Sequence, residues 1–179
     1  MRIAMSLMFV AALGCSRSDV SPQPPGSSGR VPSPGSSTTP TPFREGIDLA
    51  DSQSALDNGQ LSDRFDFSRM RELWVRIKVA GLSGITVVRL TLTTPSGSTF
   101  YESNVAYSPD PSQNTMMVPN APHPITVFSA QAMNGGYGLS YVVPVAGSAL
   151  ARYPLPGKWH VVATFDSGKT LSTEIDVTY

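Results

Sequence analysis

The chain has 179 residues, with 13 Lys plus Arg against 13 Asp plus Glu, so its formal net charge is zero. That balance, with no basic stripe, argues against a nucleic-acid surface or a polybasic membrane patch. A single cysteine excludes an internal disulfide, and two histidines are too few for a zinc site without further N or S donors. At the N-terminus, MRIAMSLMFVAALGC holds Arg2 as a short positive region and an uncharged apolar run from Ile3 to Leu13. The run is too short to span a bilayer and ends in small residues, the pattern of an export signal over 1–14.

Cys15 follows Ala12-Leu13-Gly14 directly, and the arrangement resembles the lipobox of bacterial lipoproteins. Gly14 meets the stringent requirement at the cleavage position, while Ala12 stands where the family prefers Leu. The resemblance implies that the Cys15 thiol is diacylated, that the peptide is cut just before it, and that the new N-terminus is acylated. It also implies a cell-envelope location with the membrane as first partner. Ser16, in place of an Asp that would favour inner-membrane retention in that family, leans toward the outer membrane if the source is Gram-negative. In an oxidising compartment a lone cysteine has no partner within the chain, and lipidation accounts for it. Each buried methylene contributes about 0.8 kcal/mol, so one chain holds marginally and two or more hold stably.

Residues 15–43 are expected to form a lipidated, disordered tether. Between Ser21 and Pro42 the sequence SPQPPGSSGRVPSPGSSTTPTP is almost entirely Pro, Ser, Gly and Thr. Such a segment cannot bury enough apolar surface to offset the entropy of ordering it. Extended at about 3.1 Å per residue it reaches roughly 70 Å, and as a coil roughly 25–30 Å.

The remaining stretch, 44–179, is long enough for one domain with a real core. Its charges nearly cancel, ten Lys plus Arg against twelve Asp plus Glu. Asp51, Asp57, Asp63 and Asp66 come first and read as caps and turns; a calcium loop is the alternative, but the alternating spacing of an EF-hand is missing. Leu73, Val75, Ile77 and Val79 then alternate with Trp74, Arg76 and Lys78, predicting a strand with one wet face. Ile85 to Thr93 predicts a second, Thr94-Pro95-Ser96-Gly97 a turn, and Phe100 to Tyr107 the returning strand. Ile125 to Met133 and Gly138 to Ala146 predict two more, split by Asn134-Gly135-Gly136. The clearest unit is last: Trp159, Val161, Ala163 and Phe165 alternate with polar partners, Asp166-Ser167-Gly168-Lys169 turns, and Leu171, Ile175 and Val177 line the return. Short strands at regular spacing, with almost no helical period, predict an all-β antiparallel β-sandwich.

The run from Phe65 through Leu73-Trp74-Val75, Thr94-Pro95-Ser96-Gly97 and Gly157-Lys158-Trp159-His160-Val161 to Ile175-Asp176-Val177 resembles immunoglobulin-like modules of bacterial extracytoplasmic proteins. The resemblance implies an immunoglobulin-like order. It also implies that Trp159, lacking the cysteine pair of antibody domains, packs on aliphatic side chains. A jelly-roll of the proprotein-convertase P-domain type shares the Pro-Ser-Gly and Gly-x-Trp features and is the alternative architecture.

Candidate chemistry is sparse. His123 sits in the stiff Pro122-His123-Pro124, and His160 has solvent parity, so no metal ligand set is expected. No serine stands in a convincing nucleophile motif, and Gly135-Gly136-Tyr137-Gly138 lacks the Lys of a phosphate loop. The expectation is a non-enzyme without cofactors. Candidate binding residues are Trp74, a large aromatic on polar parity, and Met116 and Met117, apolar within the long 108–123 segment. The blander reading of the two methionines, with Val118, is an edge strand or a segment folded on the core. The functional expectation is a lipid-anchored, extracytoplasmic binding or structural module partnered by an envelope protein or glycan. The alternatives are a carbohydrate or cell-wall binding domain, and an inhibitor of an extracytoplasmic hydrolase acting through 108–123.

Overall fold

The computed structural model describes residues 42–119 and 122–179. The export signal, Cys15 and most of the tether lie outside the described residues. Among the described residues, eleven strands and two short helices follow in chain order: β1 Gly46–Ala50, α1 Gln53–Asp57, β2 Arg64–Asp66, β3 Glu72–Val79, β4 Thr86–Thr93, β5 Thr99–Ser108, β6 Thr115–Met116, β7 Ile125–Ser129, β8 Gln131–Met133, β9 Gly136–Pro144, α2 Ala149–Arg152, β10 Gly157–Phe165 and β11 Thr170–Thr178.

The strands form a four-stranded sheet, β1-β3-β9-β8, and a seven-stranded sheet, β2-β11-β10-β4-β5-β7-β6. The two apolar faces meet in one core, to which Leu73, Val75, Ile77 and Leu139 come from the smaller sheet. Leu90, Leu92, Val161, Ile175 and Val177 come from the larger. The fold is an all-β, immunoglobulin-like sandwich. Consecutive strands stay in one sheet as hairpins at β4–β5, β8–β9 and β10–β11, which favours this order over the jelly-roll.

The hairpins follow from local chemistry. Gly97 takes φ +84° and donates to the Thr94 carbonyl at 2.9 Å, closing the Thr94-Pro95-Ser96-Gly97 turn. Gly168, at φ +86°, does the same at the β10–β11 turn, where Phe165 also donates to the Lys169 carbonyl. Within β10 the alternation holds throughout: Trp159, Val161, Ala163 and Phe165 are buried and His160 is exposed.

Trp159, near the start of β10, is fully buried. Within a largely aliphatic core cluster it also packs edge-on against two aromatic rings, Phe67 with centroids 5.9 Å apart and Phe100 at 5.4 Å. Its indole N–H donates to the Leu155 carbonyl at 2.7 Å, so the polar edge of the ring is satisfied. One inter-sheet link is polar: the Tyr101 and Tyr141 hydroxyls are 2.6 Å apart and Tyr141 donates to Ser103. Burial, then the Tyr141 hydroxyl, push the Tyr101 phenol up to about 12.

Several expectations need correction. The predicted Ile125–Met133 strand is two strands in different sheets. β7 pairs parallel with β5, and after Ala130 donates to the Ser108 carbonyl, β8 joins β9 across the sandwich. A second parallel pair, β2 with β11, also departs from a wholly antiparallel arrangement. β1, β2 and both helices were not foreseen. Folded structure reaches back to residue 43, the expected end of the tether: a Cβ on Gly136 would meet the Phe43 ring at 2.5 Å and the Val79 carbonyl closer still. Only glycine fits there.

Trp159→Ala removes the ring that both Phe67 and Phe100 pack against. It should lower unfolding free energy by about 3–5 kcal/mol, seen as a lower urea midpoint. Trp159→Phe should lose substantially less, because only the hydrogen bond to Leu155 and part of the ring go. Equal losses would contradict the packing described.

Candidate functional site

The outer face of the four-stranded sheet is not simply wet. Of the polar-parity residues of β3, Arg76 is 9% exposed, Trp74 and Lys78 are half-buried, and a short helix covers part of the face. Ser52 caps α1, its hydroxyl accepting from the Ala55 amide at 3.3 Å. Leu56, buried, is the helix's apolar contact. Arg76 supplies the polar one: its guanidinium donates to the Leu56 carbonyl at 3.3 Å and pairs with the Asp57 carboxylate, while its buried Nε has no partner among the described residues. Beside it, Lys78 pairs with Asp48 on β1 at 2.8 Å. The expectation of a strand with one solvated face fails here because a helix too short to show a period occupies that face.

This arm forms one wall of a cleft of about 540 Å³. The chain leaves α1 through Asn58 and Gly59, the latter at φ +69°, and is pinned by Gln60 donating to the Ala55 carbonyl and Ser62 donating to that of Leu49. Ser62 Oγ then brackets Arg64, donating to its carbonyl at 2.8 Å and accepting from its amide at 3.0 Å. β2 follows as the floor, with Phe65 buried and its backbone paired to β11 in the register Val177↔Phe65.

The opposite wall is the turn after β2. Asp66 accepts from the Ser68 amide at 3.0 Å and the Ser68 hydroxyl at 2.5 Å, and pairs with Arg69 at 3.3 Å. The Ser68 hydroxyl first, and then, against some desolvation, the Ser68 amide and the Arg69 charge, hold the Asp66 carboxyl below its ordinary value. Arg71 closes the turn, its carbonyl accepting from the amides of Val145 and Ala146 at 2.9 and 3.0 Å. Three arginines, Arg64, Arg69 and Arg71, therefore line one cleft with two acidic residues, Asp51 and Asp66. Two of the three are engaged, Arg69 with Asp66 and Arg64 with Asp176 at 4.0 Å; among the described residues no carboxylate lies within 4.0 Å of Arg71.

Of the residues singled out in the sequence, Asp51 and Asp66 line this cleft and Asp57 pairs with Arg76, while the candidate binding residues and the histidines lie elsewhere. Trp74 is half-buried on the outer face and donates its indole N–H to Glu72 at 3.1 Å. Met116 belongs to β6, a two-residue edge strand paired with β7, and Met117 beyond it is 66% exposed. Asn120 and Ala121 of the 108–123 segment lie outside the described residues. His123 is exposed, and His160 stands 3.6 Å from Glu174 on the outer surface of β10. Among the described residues no three His, Cys, Asp or Glu side chains gather at metal-binding distance. The arginine cleft was missed, although a signal existed: Arg64-Phe65-Asp66-Phe67-Ser68-Arg69-Met70-Arg71 puts three of the folded region's ten cations within eight residues.

No protein-family model matches the chain, and no curated protein does. Among solved structures it is similar to a CARDB domain from Pyrococcus furiosus in complex with di-metal ions, at 12% identity and TM-score 0.34, covering 75% of this chain and 88% of that one. It is also similar to part of a β-glucosidase from Listeria innocua, at 13% identity and TM-score 0.33. There the match covers 75% of this chain and spans 16% of the enzyme.

The ion pair that holds α1 makes an asymmetric prediction. Asp57→Ala leaves a buried guanidinium short of its counter-charge and should cost about 2–3 kcal/mol, below the full buried-pair range because Asp57 is half exposed. Arg76→Met leaves Asp57 to water and keeps the side-chain bulk, so it should stay within about 1 kcal/mol of wild type. Urea unfolding of both variants checks the order, and the reverse order would contradict it.

Proposed function

We propose that the chain is an exported bacterial lipoprotein whose folded part is a non-catalytic binding or structural module of the cell envelope. Cys15, directly after Gly14 and behind an uncharged run that starts at Ile3, carries the reading. Acylation of the Cys15 thiol and of the new N-terminus gives more than one buried chain, enough for stable rather than marginal attachment. The Pro-, Ser- and Gly-rich tether from Ser21 to Pro42 lifts the sandwich clear of the lipid surface. An envelope protein or glycan is the partner of the module, and Ser16 favours the outer membrane if the source is Gram-negative.

A rigid sandwich suits this role because loops and clefts at its periphery can bind while the core stays fixed. The arginine cleft beside β2 is one such concavity, built from backbone held at both walls.

Cys15→Ser should reduce incorporation of labelled fatty acid to background and move the protein out of the membrane fraction. Labelling that persists in the variant, or continued retention in membranes, would sink the proposal.

A further inference from the structure

We infer that the cleft formed by Arg64, Arg69 and Arg71 is a binding site for an oxyanion, a phosphate or carboxylate carried on a polar group of about sugar size. The inference names a ligand class for the binding module proposed above, and depends on that binding role but not on the anchor at Cys15.

Charge distribution is the first support. The folded region carries fewer Lys and Arg than Asp and Glu, yet three of its arginines line one cleft. Asp51 and Asp66 offset two of these charges and leave one in excess among the residues that line the cleft. Asp66 is already committed to the Ser68 amide and hydroxyl and to Arg69, and its depressed pKa keeps it an acceptor rather than a proton donor. Asp51 accepts from the Ser52 hydroxyl at 3.1 Å. Arg71 is left with its planar fork of donors and, among the described residues, no carboxylate within 4.0 Å. Guanidinium matches phosphate and carboxylate oxygens two at a time, which a lysine cannot do.

Preorganisation is the second. Arg71's backbone is held by the amides of Val145 and Ala146, and Arg64's by Ser62 Oγ on one side and β11 on the other. The turn between them is fixed by Asp66 and Ser68. The Cα positions that carry the three charges are therefore set before any ligand arrives, which lowers the ordering cost of binding. Size is the third. About 540 Å³ accommodates one sugar-sized group, while the partly buried Met70 in the lining supplies some apolar surface for its body.

The test uses the full chain in detergent micelles, with backbone amide shifts followed by NMR as three probes are added separately: inorganic phosphate, D-glucuronate and neutral D-glucose. Saturable shifts confined to residues 60–71 are expected with phosphate, glucuronate or both, and the one that saturates at lower concentration identifies the anion. Arg71→Gln should weaken that binding at least tenfold while the amide shifts of β10 stay in place, and Arg71→Lys should recover only part of it. Raising the salt concentration should weaken it as well. Absence of saturable shifts with both anions, equal response to glucose, or binding that survives Arg71→Gln would overturn the proposal. Acyl labelling at Cys15 is read separately, so failure here leaves the anchor untouched and failure there leaves the cleft untouched.

Discussion

A guanidinium is drawn into the outer face of the smaller sheet, and the periphery of the molecule is arranged around it. Arg76 sits in the middle of β3, between the buried Val75 and Ile77, at a position whose parity points away from the core. Taking that charge out of water is unfavourable unless its donors are met. The Asp57 carboxylate and the Leu56 carbonyl meet two of them, both from the last turn of α1. A five-residue helix has almost no stability of its own. It persists because Leu56 is buried, Ser52 caps it, and Arg76 holds its C-terminal end, where a cation also complements the free carbonyls. The chain leaving α1 then has a fixed starting point, and the first wall of the arginine cleft follows from it.

The sandwich core shows what local sequence can specify. In β10 and β11 the alternation of apolar and polar residues, closed by a four-residue turn, sets register without help from the rest of the chain. β3 and β4 were legible for the same reason. The break at Ala130 was not, since nothing in Ile125–Met133 distinguishes one long strand from two. It is set by a parallel pairing to β5 and by one bond to the Ser108 carbonyl, both non-local. Trp159 was correctly placed inside, but its aromatic neighbours were not foreseen: Phe67 and Phe100 are distant in sequence and meet it only through the sheet.

The site was less legible than the fold, and for a physical reason. Parity assigns a side chain to a face but says nothing of what covers that face. Arg76 was read as solvated for this reason, and Trp74 was singled out although its indole is half-buried and bonded to Glu72. The arginines at 64, 69 and 71 do not share a strand face. A turn tied by Asp66 and Ser68, a parallel pairing with β11 and the α1 arm together turn a stretch of sequence into a cleft. Cys15 is the converse case, a position whose proposed role rests on linear sequence alone, since a lipobox is a linear signal.

The central physical claim is that Arg76 holds the α1 arm against the sheet, independently of the core. Hydrogen exchange on the Asp57→Ala chain, which breaks that hold from the helix side and leaves the guanidinium short of its counter-charge, tests it most directly. The account predicts that the amides of Leu56, Asn58, Gly59 and Gln60, which donate within the arm, exchange at least roughly tenfold faster while those of β10 keep their protection. Unchanged protection across residues 56–60, or an equal loss in β10, would contradict it.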